Sequence, residues 1–174
     1  MAKKAVEPYD NVDDFFQTGT SFNNSLTLAG GSLSTTYLLS ISDAKSNGIV
    51  PNNEFRKTTV ALAAETKLSP KWTTSGRINY TKSGGTRIQQ GSNISGVMLG
   101  LLRTTPTFDN SNGYEDAADE PLAYSFLDGT QRSYRGGLVY DNPFWTVNKN
   151  PLNDQVDRVI GHFSIRYLPV DWIN

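Results

Sequence analysis

Four carboxylates crowd into the stretch GYEDAADEP: Glu115, Asp116, Asp119 and Glu120. Calcium takes about 6–8 oxygen ligands, and carboxylates at this spacing would supply some of them. The glycine pattern of an EF-hand loop is missing, however. Paired carboxylates also drive glycoside hydrolysis, but nothing in the sequence sets two of them at either separation that reaction needs. The run therefore reads as a solvated acidic loop. The chain holds one histidine, His162, and no cysteine, which rules out disulfides and thiolate sites and leaves a histidine metal site without companions. KSGGTR is glycine-rich but lacks the Lys-Ser/Thr end of a phosphate loop. No Ser-His-Asp set stands out. The expectation is a protein that is not an enzyme and needs no metal or cofactor.

What remains is recognition. Tyr124, Phe126, Tyr134, Tyr140, Phe144 and Trp145 gather in one late stretch. Aromatic rings bury large areas with few rotors, so they suit the stacking of sugar rings or the holding of peptide side chains. The same rings equally build a loop's own small core, and that use is expected to dominate, because a long loop must bury something to stay ordered. A second set, Arg77, Asn79, Arg158, His162 and Arg166, falls on the polar parity of two segments and would line a hydrated path or simply a solvated wall.

These residues must be positioned by strands. Among the 174 residues, Asn, Ser and Thr are abundant and formal net charge is −1. No long-range field therefore selects nucleic acid or an anionic surface. No run of 18 apolar residues exists, so no transmembrane helix is expected. Met1 to Lys4 is basic but is followed by AVEPYDNVDD, which has no apolar core; it does not read as a signal peptide. Residues 1–17 read as an irregular lead-in. Alternation of period two then recurs five times. Phe22, Leu26 and Leu28 share one parity; Tyr37, Leu39 and Ile41 another; then Val60, Leu62 and Ala64; then Trp72, Gly76, Ile78 and Tyr80; and last Val159, Phe163, Ile165 and Tyr167. NISGVMLGLLRT, with Val97, Met98, Leu101 and Leu102 at helical spacing, predicts one short helix. YDNPFWTVNKNP shows neither period and reads as irregular.

In antiparallel order the connections sort by length. Those at Gly30 to Ser34, Ser69 to Lys71 and Leu168 to Asp171 are short and share one end. Those at Asp43 to Asn53 and at Lys82 to Asp157 are long and share the other. Outer-membrane barrels have this asymmetry, and strands of about 8 to 11 residues suit a tilted membrane crossing. Trp72 and Tyr80 bracket one apolar face as an aromatic girdle would. A compact soluble domain rarely carries a connection of roughly 75 residues. The fold expected is all-β: residues 18–174 form a partial antiparallel transmembrane β-barrel of about five strands, with one long extracellular loop, about 82–157, containing a short helix. The alternative is a soluble β-sandwich that binds carbohydrate through its loop aromatics.

Three segments in order, DDFFQTGTSFNNSLTLAGG, SNGIVPNNEFRKTTVALAAETKLSPKWTTSGRINYT and DNPFWTVNKNPLNDQVDRVIGHFSIRYLPVDWIN, resemble the SusC/RagA family of TonB-linked outer-membrane transporters. The resemblance covers nearly the whole chain from about Asp13. Members of that family carry a signal peptide, a plug, a TonB-contacting segment and a barrel of about 22 strands. By resemblance this chain would be an internal fragment of such a barrel in the bacterial outer membrane. The resemblance implies import of oligosaccharide or peptide cargo beneath a SusD-type surface lipoprotein, with energy from TonB through a part not present here. It also implies outer-membrane lipid around the wall, no nucleic acid, and the long loop facing lid and ligand.

Overall fold

The structure is a computed structural model that describes residues 8–91, 96–111, 123–136 and 139–170. It holds one five-stranded antiparallel sheet and three short helices among the described residues. The strands are β1 (Thr20–Gly31), β2 (Thr35–Asn47), β3 (Glu54–Ser69), β4 (Trp72–Arg87) and β5 (Leu152–Tyr167). Each pairs with its neighbour in sequence, in the order β1-β2-β3-β4-β5. The sheet is open: β1 and β5 lie at its two edges and do not pair with each other. The helices are α1 (Asn11–Phe15), α2 (Val97–Arg103) and α3 (Pro143–Lys149).

The strands run longer than alternation alone indicates, at 12 to 16 residues each. β2 continues through Asp43–Asn47, so the connection expected at Asp43 to Asn53 shrinks to residues 48–53. The long connection narrows likewise, to residues 88–151. Its described residues contain two helices rather than one: YDNPFWTVNKNP, read as irregular, supplies α3. Asn142 caps that helix, its Oδ1 accepting from Phe144 N at 2.9 Å, and Pro143 sits in the first turn, where its missing N–H costs nothing. Asn150 ends it and Pro151 leads into β5. The lead-in also departs from expectation. Asp10 accepts from Asp13 N at 3.1 Å and starts α1, whose Asn11 and Phe15, four apart, share the buried face.

The chain divides into two compact units. The loop unit comprises Met1–Thr20, Asn47–Glu54 and Thr86–Asp154; the sheet unit comprises Ser21–Ser46, Phe55–Gly85 and Gln155–Asn174. The dry core belongs to the loop unit. Phe15, Val50, Val97, Leu101, Phe144 and Val147 are buried together, with Phe16, Ile88 and Tyr124 packed around them. Phe15 meets Phe144 edge-on at 4.9 Å between centroids. Three buried amides tie the surrounding backbone. Asn11 donates to the Phe108 carbonyl at 2.8 Å and accepts from Asn110 N at 2.8 Å. Asn110 donates to Thr104 Oγ1 at 2.9 Å. Asn142 donates to the carbonyls of Arg132 at 2.9 Å and Asn110 at 3.3 Å. Irregular backbone carries polar groups that no ladder satisfies, and asparagine offers a donor and an acceptor for them.

In the sheet unit, cross-strand contacts fix the register. Thr27 meets Ser40, Thr35 meets Thr66, Asp43 meets Thr58, Thr59 meets Thr81, and Ser75 meets Ser164. That register puts the apolar parities of all five strands on one face. Rows run across it: Leu28, Leu39, Leu62 and Ile78; then Leu26, Ile41, Val60, Tyr80 and Val159. A Cβ on Gly30 would stand 2.4 Å from the Tyr37 hydroxyl, so glycine there lets the Tyr37 ring lie across β1. The apolar face is uncovered: Phe22, Leu28, Leu62, Ile78, Phe163 and Ile165 are all about half exposed or more.

Candidate functional site

The opposite face of the sheet carries the polar parity, and it is hollowed. An open depression of about 650 Å3 is lined from all five strands. One cross-strand row forms its floor: Ala29, Leu38, Ala63, Arg77 and His162. Thr36, Glu65 and Ser75 stand in the next row. The small side chains of Ala29, Ala63 and Ser75 leave the depression open between the larger Leu38, Glu65, Arg77 and His162.

The structure brings two of the five expected wall residues, Arg77 and His162, into this depression. Asn79, Arg158 and Arg166 share their parity and face but lie beyond the lining. Glu65 was legible only as a polar-parity residue of β3, and the register with β4 is what sets it beside Ser75. Side-chain oxygens along the same face pair across strands, Ser75 with Ser164 at 2.8 Å and Thr27 with Ser40 at 3.1 Å.

The apolar face has polar limits. At one end Trp72 stacks on Tyr167, with centroids 4.3 Å apart and planes 24° from parallel. Toward the other, the Tyr80 hydroxyl donates to Asp157 at 2.6 Å. In the same row as Asp157, Asp43 accepts from Thr58 at 2.6 Å. From Trp72 to Tyr80 the strand rises about 27 Å.

The aromatic set separates into three situations in the loop unit. Phe144 is buried and belongs to the core. Tyr124 packs against that core and meets Trp145 edge-on at 6.3 Å; Lys149 lies 5.9 Å from the Trp145 ring. Phe126 is exposed, beside a tight turn in which Asp128 accepts from Thr130 N and Oγ1 at 2.9 and 2.6 Å. Those bonds hold the Asp128 carboxyl below its usual range. Tyr134 and Tyr140 form the third situation. Their rings are nearly parallel, 6° apart in tilt and 6.1 Å between centroids. Arg103 lies 4.8 Å from the Tyr140 centroid and donates to its hydroxyl. Arg135 lies 5.5 Å from Tyr134 and 5.6 Å from Tyr140. This gathering of two arginines on two tyrosines has no period and no motif to announce it; the adjacency of Tyr134 and Arg135 is its only trace in the sequence. The acidic run Glu115, Asp116, Asp119 and Glu120 lies outside the described residues.

Geometry thus defines an all-β protein with a one-sided apolar sheet, a hollowed polar face and a separately cored loop unit. No family model matches the chain, and no curated protein matches it.

Proposed function

We propose that the chain forms part of the wall and one outward loop of an outer-membrane nutrient importer, of the SusC/RagA type its sequence resembles. The observation that carries this reading is the uncovered apolar face. It crosses all five strands in register, while the opposite face sets Glu65, Ser75, Arg77 and His162 among small and apolar residues around an open depression. In water such a face is a liability; against acyl chains it is the expected surface. A sandwich needs a second sheet laid on that face, and the described strands form one sheet only. The open edges at β1 and β5 call for further strands, because closed barrels start at about eight. In this reading the polar trough lines the passage taken by oligosaccharide or peptide cargo. The loop unit meets that cargo and a SusD-type lid, and the TonB-driven step belongs to parts outside this chain. The protein performs no covalent chemistry of its own.

The test is depth in lipid. The full chain is folded from urea into vesicles, with lipids brominated at successive acyl positions. Phe163→Trp in a background where Trp72, Trp145 and Trp172 are replaced by Phe should be quenched most near the bilayer centre, and Ser164→Trp in the same background weakly at every depth. Equal, shallow quenching of both probes, or a cooperatively melting monomer in lipid-free buffer, would end the proposal.

A further inference from the structure

The paired tyrosines of the long loop hold two cations that form no ion pair among the described residues. Arg103 and Arg135 both approach the Tyr140 ring, at 4.8 and 5.6 Å from its centroid. Both side chains belong to exposed residues. The ion pairs among the described residues are Arg56 with Asp43 and Arg87 with Asp154, and neither involves these two arginines. A third arginine in the neighbourhood is differently employed. Arg132 stacks 4.3 Å from the Phe108 ring and donates to the carbonyls of Asp109 at 2.6 Å and Ala123 at 2.9 Å, so it builds the loop. The nearest carboxyl in sequence, Asp141, accepts instead from Gln131 Nε2 at 2.8 Å.

Two guanidinium groups held beside one ring repel each other unless something offsets them. The tyrosine faces offset part of that repulsion through their quadrupoles. One Arg103 N–H is used on the Tyr140 hydroxyl, and the exposure of both arginines leaves further guanidinium donors open to solvent beside the rings. Such donors take a planar oxyanion by two parallel charge-assisted bonds. The Tyr134 hydroxyl is a further donor in the same cluster.

We propose that Arg103 and Arg135, held on Tyr134 and Tyr140, form a subsite for a carboxylate-bearing ligand. The ligand chemistry is a carboxylate on a small soluble molecule, whether a uronic-acid sugar or an acidic peptide. The inference rests on the loop being ligand-facing, as in the function proposed above, but it adds a charge requirement that the function does not contain. The second member of the cationic pair, Arg135, is what distinguishes it from a helix end: Arg103 alone would be an ordinary basic residue in the last turn of α2.

The experiment titrates the full chain, folded into detergent micelles, by calorimetry with a galacturonate trisaccharide, its methyl ester and a glutamate tripeptide. Binding of at least one carboxylate probe, with the neutral ester at least tenfold weaker, is expected. Arg103→Gln with Arg135→Gln should lower that affinity tenfold or more, whereas Lys71→Gln, a charge loss in the β3–β4 turn, should leave it unchanged. Which carboxylate probe binds tells sugar from peptide. Should the double variant lose strand content by circular dichroism, the unmodified chain still decides: affinity must fall severalfold between low and high salt. Ester binding equal to the acid, indifference to salt, or an undiminished double variant overturns the subsite. A chain that inserts in lipid as described yet ignores every carboxylate loses this inference and keeps its proposed function.

Discussion

The loop unit and the sheet unit solve the same problem in opposite ways. In the loop unit six apolar side chains from α1, α2, α3 and the β2–β3 connection converge and are buried. Their irregular backbone is tied down by Asn11, Asn110 and Asn142, all at most 7% exposed. In the sheet unit the backbone satisfies itself through its ladders, and the apolar side chains stay outside, with Phe163 at 70% and Phe22 at 66% exposure. Regular backbone needs no side chains to complete its hydrogen bonds, so a strand is free to send every second residue to a foreign apolar phase. Irregular backbone has no such freedom. It must use side-chain amides and therefore folds around its own core.

The largest effect expected from breaking this contrast is in the loop core. Phe144→Ala removes a ring 3% exposed that lies against Phe15, a change worth about 3–5 kcal/mol. Hydrogen exchange read by peptide should show α2 and α3 opening at least 100-fold more often, with β3 and β4 unaffected. Equal loss of protection along β3 and β4 would mean that the two regions do not draw on different sources of stability.

The second effect tests the sheet. Ile78 and Asn79 are neighbours on β4 and point to opposite faces. Folding into a bilayer, Ile78→Arg should cost about 2–4 kcal/mol, because its charge would sit near the middle of the apolar band. Asn79→Arg, on the polar face, should change little. Urea titrations in vesicles measure both. If Ile78 simply faces water, the two arginines will be equally harmless, and the contrast between the faces collapses.

How far the sequence revealed these regions follows the same division. Alternation located all five strands, because one face is apolar and the other polar over the middle of each. It failed at the strand ends, where both faces are polar. DAKSN, TKSGGTR and LNDQ carry no period, yet they are strand, joined by Asp43 to Thr58 at 2.6 Å, Thr86 to Asn153 at 2.8 Å, and Arg87 to Asp154 at 2.6 and 2.9 Å. α3 hid behind its Asn-Pro steps, although Asn142 followed by Pro143 is a helix start and Phe144 and Val147 lie three apart on its buried face. For the sites, the parity of Arg77 and His162 was readable, but the depression they share depends on the register across all five strands. The cluster of Arg103, Tyr134, Arg135 and Tyr140 depends on how the long loop closes, and no local rule encodes that.

The smallest effect concerns a charge at the edge of the loop core. Burial is the first cause that raises the Asp14 carboxyl above its usual range, followed by repulsion from Asp109, Asp10 and Asp13. A carboxyl raised in the folded state favours folding below its unfolded pKa, and that contribution is lost as pH climbs through the folded value. At neutral pH Asp14 is therefore a mild liability. Asp14→Asn should stabilise the chain at pH 7 by a few tenths of a kcal/mol at most, given how exposed and screened the group is. The gain should vanish below about pH 4, where the parent carboxyl is itself protonated. Urea midpoints of parent and variant at the two pH values measure this. Asp14 also lies in the first turn of α1, where a negative charge is favourable. A variant weaker than the parent at pH 7 would show that this attraction outweighs the crowding of carboxylates, and that the loop unit tolerates its acids because the helix start uses them.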